Sequence, residues 1–111
     1  DYNAQQGVEA QLSSKRVQDD LRAAIRLDAD NALLYYNLAT VFVMQKDYNT
    51  GIDLLGRAIQ LNPNLAEAYF NLGLARIFAG HKTEGIRDLS KAGELGLYDA
   101  YSVMKRYSDA K

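Results

Sequence analysis

Apolar and small residues recur along this chain at helical spacing, and they do so twice in nearly the same way. Tyr35, Leu38, Ala39 and Phe42 follow i, i+3, i+4, i+7 spacing, and Gly51, Leu54, Leu55, Ala58 and Ile59 form a second face of that kind, the pattern of an amphipathic helix. Between them Gln45-Lys46-Asp47-Tyr48 is short and polar, which reads as a helix–helix turn. No stretch alternates with the period of two that a half-buried strand needs. The pattern predicts an all-α chain with helices near 3–12, 16–28, 32–45, 49–61, 65–79, 83–95 and 98–108.

The two faces belong to a repeat. Laying residues 32–65 over 66–99, an offset of 34, gives nine identities, among them Ala32/Ala66, Tyr35/Tyr69, Leu38/Leu72, Gly51/Gly85, Leu55/Leu89 and Ala58/Ala92. One step back, Asp19, Leu21, Ala24, Ile25 and Leu27 fall on Asp53, Leu55, Ala58, Ile59 and Leu61; one step forward, Ala100 falls on Ala32 and Ala66. The organisation expected is a single array: a degenerate or truncated first unit over 1–31, full units over 32–65 and 66–99, and a capping helix over 100–111. Leu38, Leu55, Ala58, Leu61, Leu72, Leu89, Ala92 and Leu95 are the expected core. Gly51 and Gly85 cost helix propensity, about 1 kcal/mol each against Ala, and so read as points of close approach between the two helices of a pair. Turn chemistry agrees with these limits. Pro63, the only proline, lies between units, where it removes no helical hydrogen bond. Gly80 and Gly96 sit where a left-handed residue ends a helix. Asn64, three residues before Glu67, predicts a capping box.

A 34-residue helix–turn–helix with Tyr69, Leu72 and Gly73, then Gly85, Leu89 and Ala92, resembles the tetratricopeptide repeat (TPR) family, and residues 32–65 carry Tyr35, Leu38, Ala39 and Phe42, then Gly51, Leu55, Ala58 and Pro63. Arg76 stands where the family has Tyr, Leu97 where it has Pro, and the first unit has Ala4-Gln5 in place of the Leu-Gly pair. The stretch from Lys91 to Tyr107 resembles the end of bacterial TPR proteins. The resemblance implies an α-α superhelix of stacked antiparallel helix pairs, right-handed, with the first helix of each pair lining a concave groove. It places Leu33, Tyr36, Thr40, Val43 and Met44, then Glu67, Phe70, Leu74, Ile77 and Phe78 on that groove, joined by Tyr2, Gln6, Tyr101 and Met104 from the flanking helices. The lining is aromatic and apolar and suits an apolar or amphipathic peptide or helix. Tyr36, Ile77 and Phe78 suit packing on neighbouring helices as well. The carboxylate clamp of some TPR co-chaperones would need Lys, Asn, Asn, Lys and Arg where this chain has Tyr36, Thr40, Asn71, Tyr101 and Lys105, so only Asn71 matches outright and Lys105 keeps a charge.

Composition narrows the chemistry. A formal charge of −1 lacks the electrostatic footprint of a nucleic-acid binder, and the basic-aromatic mixture of Tyr101, Lys105, Arg106 and Tyr107 is more simply a helix end whose cations complement its dipole. Cysteine is absent and His81 is the only histidine, so no Cys-ligated metal, disulfide or two-His site can be built within one chain. Asp19 and Asp20 are helix neighbours and point about 100° apart; Ser13 and Ser14 precede an expected helix, and one of them suits its N-cap. There is no phosphate-cradling glycine loop, and no apolar run approaches the roughly 18 residues of a membrane span. The chain opens on Asp1 with no leader pattern, and reads as an excerpt or processed form. The expectation is a non-enzymatic protein–protein interaction module without cofactor or metal, part of a larger bacterial scaffold protein. It would hold a protein or peptide partner on Leu33, Tyr36, Thr40, Met44, Glu67, Phe70, Asn71, Leu74, Tyr101 and Lys105, without nucleic acid or membrane insertion. The alternative is a structural module that forms a homodimer by stacking array ends.

Overall fold

The computed structural model describes residues 2–109, with side chains over 13–108. Six helices and no strand make up the described residues: α1 (Tyr2–Leu27), α2 (Ala32–Met44), α3 (Tyr48–Leu61), α4 (Ala66–Phe78), α5 (Lys82–Glu94) and α6 (Asp99–Asp109). Each helix packs on its neighbours in sequence, and α2 also touches α4. The result is a solenoid in which α2–α3 and α4–α5 are the repeated pairs.

What closes each pair is the absence of side chain at one crossing. A Cβ on Gly51 would lie 2.6 Å from Val43 Cγ2 and 3.4 Å from the Ala39 carbonyl oxygen. Thirty-four residues later, a Cβ on Gly85 would lie 2.5 Å from the Gly73 carbonyl oxygen and 2.6 Å from Ile77 Cγ1. The same contact therefore recurs between Ala39 and Gly51 and between Gly73 and Gly85.

That contact also explains where the structure departs from expectation. The helices expected over 3–12 and 16–28 are one continuous helix, α1, of 26 residues. At the two places of the close crossing the first unit has Gln5 and Val17, which leave no room for backbones to meet. Ser13-Ser14 supplies neither a glycine nor a proline to break the helix. With no reward for folding back and no breaker, the chain goes straight on.

Helix ends follow local chemistry. The Asn31 side chain accepts from the Leu33 amide, and Asp47 from the Thr50 amide. The capping box expected from Asn64 and Glu67 is not formed. Leu65 occupies the N-cap of α4 and makes no side-chain cap bond, while the Asn64 amide donates to Asn62 Oδ1 at 3.1 Å. Gly80 and Gly96 take positive φ as expected, and Lys46 does so at φ 66. Each of the three is followed by an amide that bonds back to the carbonyl five residues earlier: Asp47 to Phe42, His81 to Arg76, and Leu97 to Ala92. This is the Schellman arrangement.

Among the described residues the core lies in two clusters. Ala39, Leu55, Ala58, Leu65, Ala68 and Leu72 form one, and Leu89, Ala92 and Ala100 the other. Leu55 and Leu89 are the largest fully buried side chains among the described residues. Leu61 and Leu95, expected inside, are only half-buried because they stand at the ends of α3 and α5, beside the turns between units.

Candidate functional site

α2, α4 and α6 begin at equivalent places in the repeat, so the face expected to form a groove can be followed helix by helix. On α2, Leu33 and Met44 are exposed, Met44 at 78%, while Tyr36 and Thr40 are half-buried. On α4, Glu67 is exposed and Phe70, Asn71 and Leu74 are half-buried. On α6, Tyr101 and Lys105 are exposed and Met104 is half-buried. Tyr2 and Gln6 lie outside the residues whose side chains are described.

Two of these residues are joined across helices. Asn71 Nδ2 donates to Thr40 Oγ1 at 3.4 Å, and the Thr40 hydroxyl donates to the Tyr36 carbonyl at 3.0 Å. The second bond is the back-bond to the previous turn that a helical threonine makes. Together they link α4 to α2. Tyr36 rests on the first core cluster, and Phe70 and Met104 rest on the second. These rings therefore serve packing from below and present only their remaining surface.

Two expected groove residues face elsewhere. Val43 and Ile77 turn into their own helix pairs and fill the space beside Gly51 and Gly85. The family's positional rule cannot foresee this, because a glycine opposite invites the neighbouring branched side chain inward. Phe78 is 49% exposed and bridges two aromatic neighbours, Tyr48 at 5.7 Å and Tyr107 at 6.0 Å between ring centroids. Tyr101 is seated on a glycine, since a Cβ on Gly93 would lie 2.5 Å from Tyr101 Cζ. The equivalent place in the preceding pair is Ile59, so the aromatic ring and the glycine occur together.

One feature of the site region went unread in the sequence. Arg76 Nη1 bonds Asp88 Oδ2 at 2.8 Å, joining α4 to α5, and Glu84 lies 4.0 Å from Arg76 Nε. Asp88 is buried, and burial pushes its carboxyl above the ordinary range; the Arg76 hydrogen bond and charge oppose that only in part, and Glu84 adds to it. The signal was available: Phe42 and Leu54 hold these two places in the preceding unit, and one register exchanges both for opposite charges. His81 is exposed at the N-cap of α5 and makes no side-chain cap bond. Among the described residues no three His, Cys, Asp or Glu side chains gather as metal ligands, and no helix is long and apolar enough to cross a membrane.

Comparison with known proteins meets this geometry. The family described as TPR repeat matches residues 41–76. The crystal structure of MamA resembles the fold with a TM-score of 0.76 at 29% identity, over 81% of this chain and 54% of MamA. The chain is a tetratricopeptide-repeat protein. The second TPR of Spaghetti (RPAP3), bound to the HSP90 peptide SRMEEVD, gives a TM-score of 0.73 at 25% identity, over 84% of this chain and 86% of that one. In sequence, the TPR chain is 29% identical over 63 residues to the photosystem I assembly protein Ycf3 of Acaryochloris marina (strain MBIC 11017), covering 57% of this chain and 38% of Ycf3. The chain spans well under half the length of the curated relatives it matches.

Proposed function

We propose that this TPR chain is a non-enzymatic protein–protein interaction module, part of a larger bacterial scaffold protein, that takes a peptide or helix along the exposed face of α2, α4 and α6. The observation that carries this reading is the repetition of large apolar side chains on that face: Leu33, Met44, Phe78 and Tyr101 are between 40% and 78% exposed. Isolated exposed apolar residues are ordinary, but their recurrence along one face is the mark of a contact surface. The Spaghetti (RPAP3) domain, a structural neighbour with a bound peptide, supports the same use of the fold. The chemistry is not that of a carboxylate clamp. Tyr36, Thr40 and Tyr101 stand at three of its five places, and one amide N–H of Asn71 is engaged with Thr40. Apolar contact would supply most of the affinity, with Asn71, Glu67 and Lys105 fixing direction.

Affinity capture from the source organism, with the wild-type chain and a variant of two exposed residues, Leu33→Ala/Met44→Ala, tests this. The variant is expected to lose the partner while keeping its helical content. Equal retention of every partner by a folded variant refutes the assignment of the face. The exposure of Val17 on α1, at 42%, favours a second reading, self-association through an array end.

A further inference from the structure

Over residues 13–27, where its side chains are described, α1 has two unlike faces. One meets α2: Ser14 and Gln18 both reach Gln45, at 2.5 and 3.4 Å, and the Arg22 guanidinium lies over the Phe42 ring at 5.7 Å. These residues are four apart and define one line along the helix. Val17 stands about 100° from that line and is 42% exposed; Ala24, seven residues on, shares its side, and Leu27 at the helix end is 90% exposed. The equivalents of Val17 in the repeated pairs, Gly51 and Gly85, are buried under the first helix of their own pair. α1 lacks that cover because its N-terminal half continues straight.

Two charges on this side also find no partner within the described residues. Lys15, Asp19 and Arg22 pair among themselves, at 3.1 and 4.0 Å. Arg16 and Asp20, one turn apart and together on one side of Val17, have no ion-pair partner among the described residues.

We propose that a second copy of this chain covers this face, as an antiparallel α1–α1 pair whose twofold axis passes beside Val17. The proposal rests on the self-association reading and adds its place and symmetry. About that axis Val17 meets its own copy. Arg16 comes level, within two residues, with the partner's Asp20, and Asp20 with the partner's Arg16. The same ion pair is thereby made twice by symmetry, whereas a parallel pair would set like against like. About this axis residues 7–27 of the two helices run alongside each other, about 30 Å of helix. The described residues at the opposite end of the array differ. α6 carries Ser102 and Arg106 where α4 carries Ala68 and Leu72; both are exposed, and Tyr107 is turned onto Phe78. Head-to-tail addition would set the Val17 side of α1 against Ser102 and Arg106 of α6, which do not complement it, whereas the symmetric contact closes at two copies.

Sedimentation equilibrium on the whole chain tests this, with circular dichroism to establish that each variant is folded. The wild type is expected to dimerise with concentration. Arg16→Asp and Asp20→Arg are each expected to raise the dimer dissociation constant about tenfold. The double variant Arg16→Asp/Asp20→Arg restores opposite signs across the axis and is expected to recover the dimer. Because the chain has no cysteine, oxidation of Val17→Cys is expected to give a covalent dimer and oxidation of Ser102→Cys none. A chain that stays monomeric at every concentration overturns the proposal and the self-association reading together. A dimer indifferent to the single charge reversals, or one cross-linked through position 102 instead of 17, overturns the proposal and leaves that reading standing.

Discussion

Gly85 and Lys46 show how much a single backbone position decides. A side chain at 85 would collide with the Gly73 carbonyl and with Ile77, so the helix propensity lost there, about 1 kcal/mol against Ala, is repaid by backbone contact. Gly85→Leu is expected to lower the melting temperature by several degrees or to prevent folding, and an unchanged thermal melt would contradict the close-crossing assignment. This was legible in the sequence, because a glycine repeated at the same register inside a helix has few other uses. Lys46 was less so. Its turn could be read from polarity, but its left-handed φ of 66 could be inferred only from Gly80, which holds the same place one repeat later. A non-glycine residue in that conformation is strained by about 1 kcal/mol. Lys46→Gly is therefore expected to raise stability by about that amount in urea unfolding.

At the scale of helices, α2 to α6 begin and end within a residue of where periodicity and turn chemistry put them. α1 does not, for a reason that can be stated. The residues that match its helical pattern are Leu21, Ala24 and Ile25, whereas the fold-back depended on Gln5 and Val17, whose size matters only once the partner helix is considered. The link between α4 and α5 carries a pH dependence. Burial raises the Asp88 carboxyl above its ordinary value of 3.8. The folded chain therefore holds that proton to higher pH than the unfolded chain does. Between the ordinary and the raised value the folded state binds more protons, so this group's contribution to stability falls as pH rises. Asp88→Asn is expected to remove that slope, read as the urea midpoint measured from the ordinary carboxylate range up to neutral pH. The link between α5 and α6 depends on Tyr101 lying flat on Gly93. Gly93→Ile is expected to displace the ring and speed amide hydrogen exchange in α6, while α4 and the first half of α5 keep their protection.

Over the whole molecule, each pair leans on the next, and the face of α2, α4 and α6 is a consequence of that stacking. Register arithmetic was enough to bring Leu33, Met44, Phe70, Tyr101 and Lys105 onto successive helices. It could not distinguish rings that rest on the core, such as Tyr36, from residues drawn inside their own pair, such as Val43 and Ile77, because that depends on which neighbour left a gap. The most direct test of the account is photo-crosslinking in the full-length protein, with a photoreactive residue placed at Leu33 or Tyr101 and, as the comparison, at Arg57 beside Tyr35 on α3. The expected result is covalent capture of a discrete protein partner from 33 and 101 and none from 57. Capture from 57 alone, or equally from all three, would contradict the claim that the first helices of the pairs form the binding face.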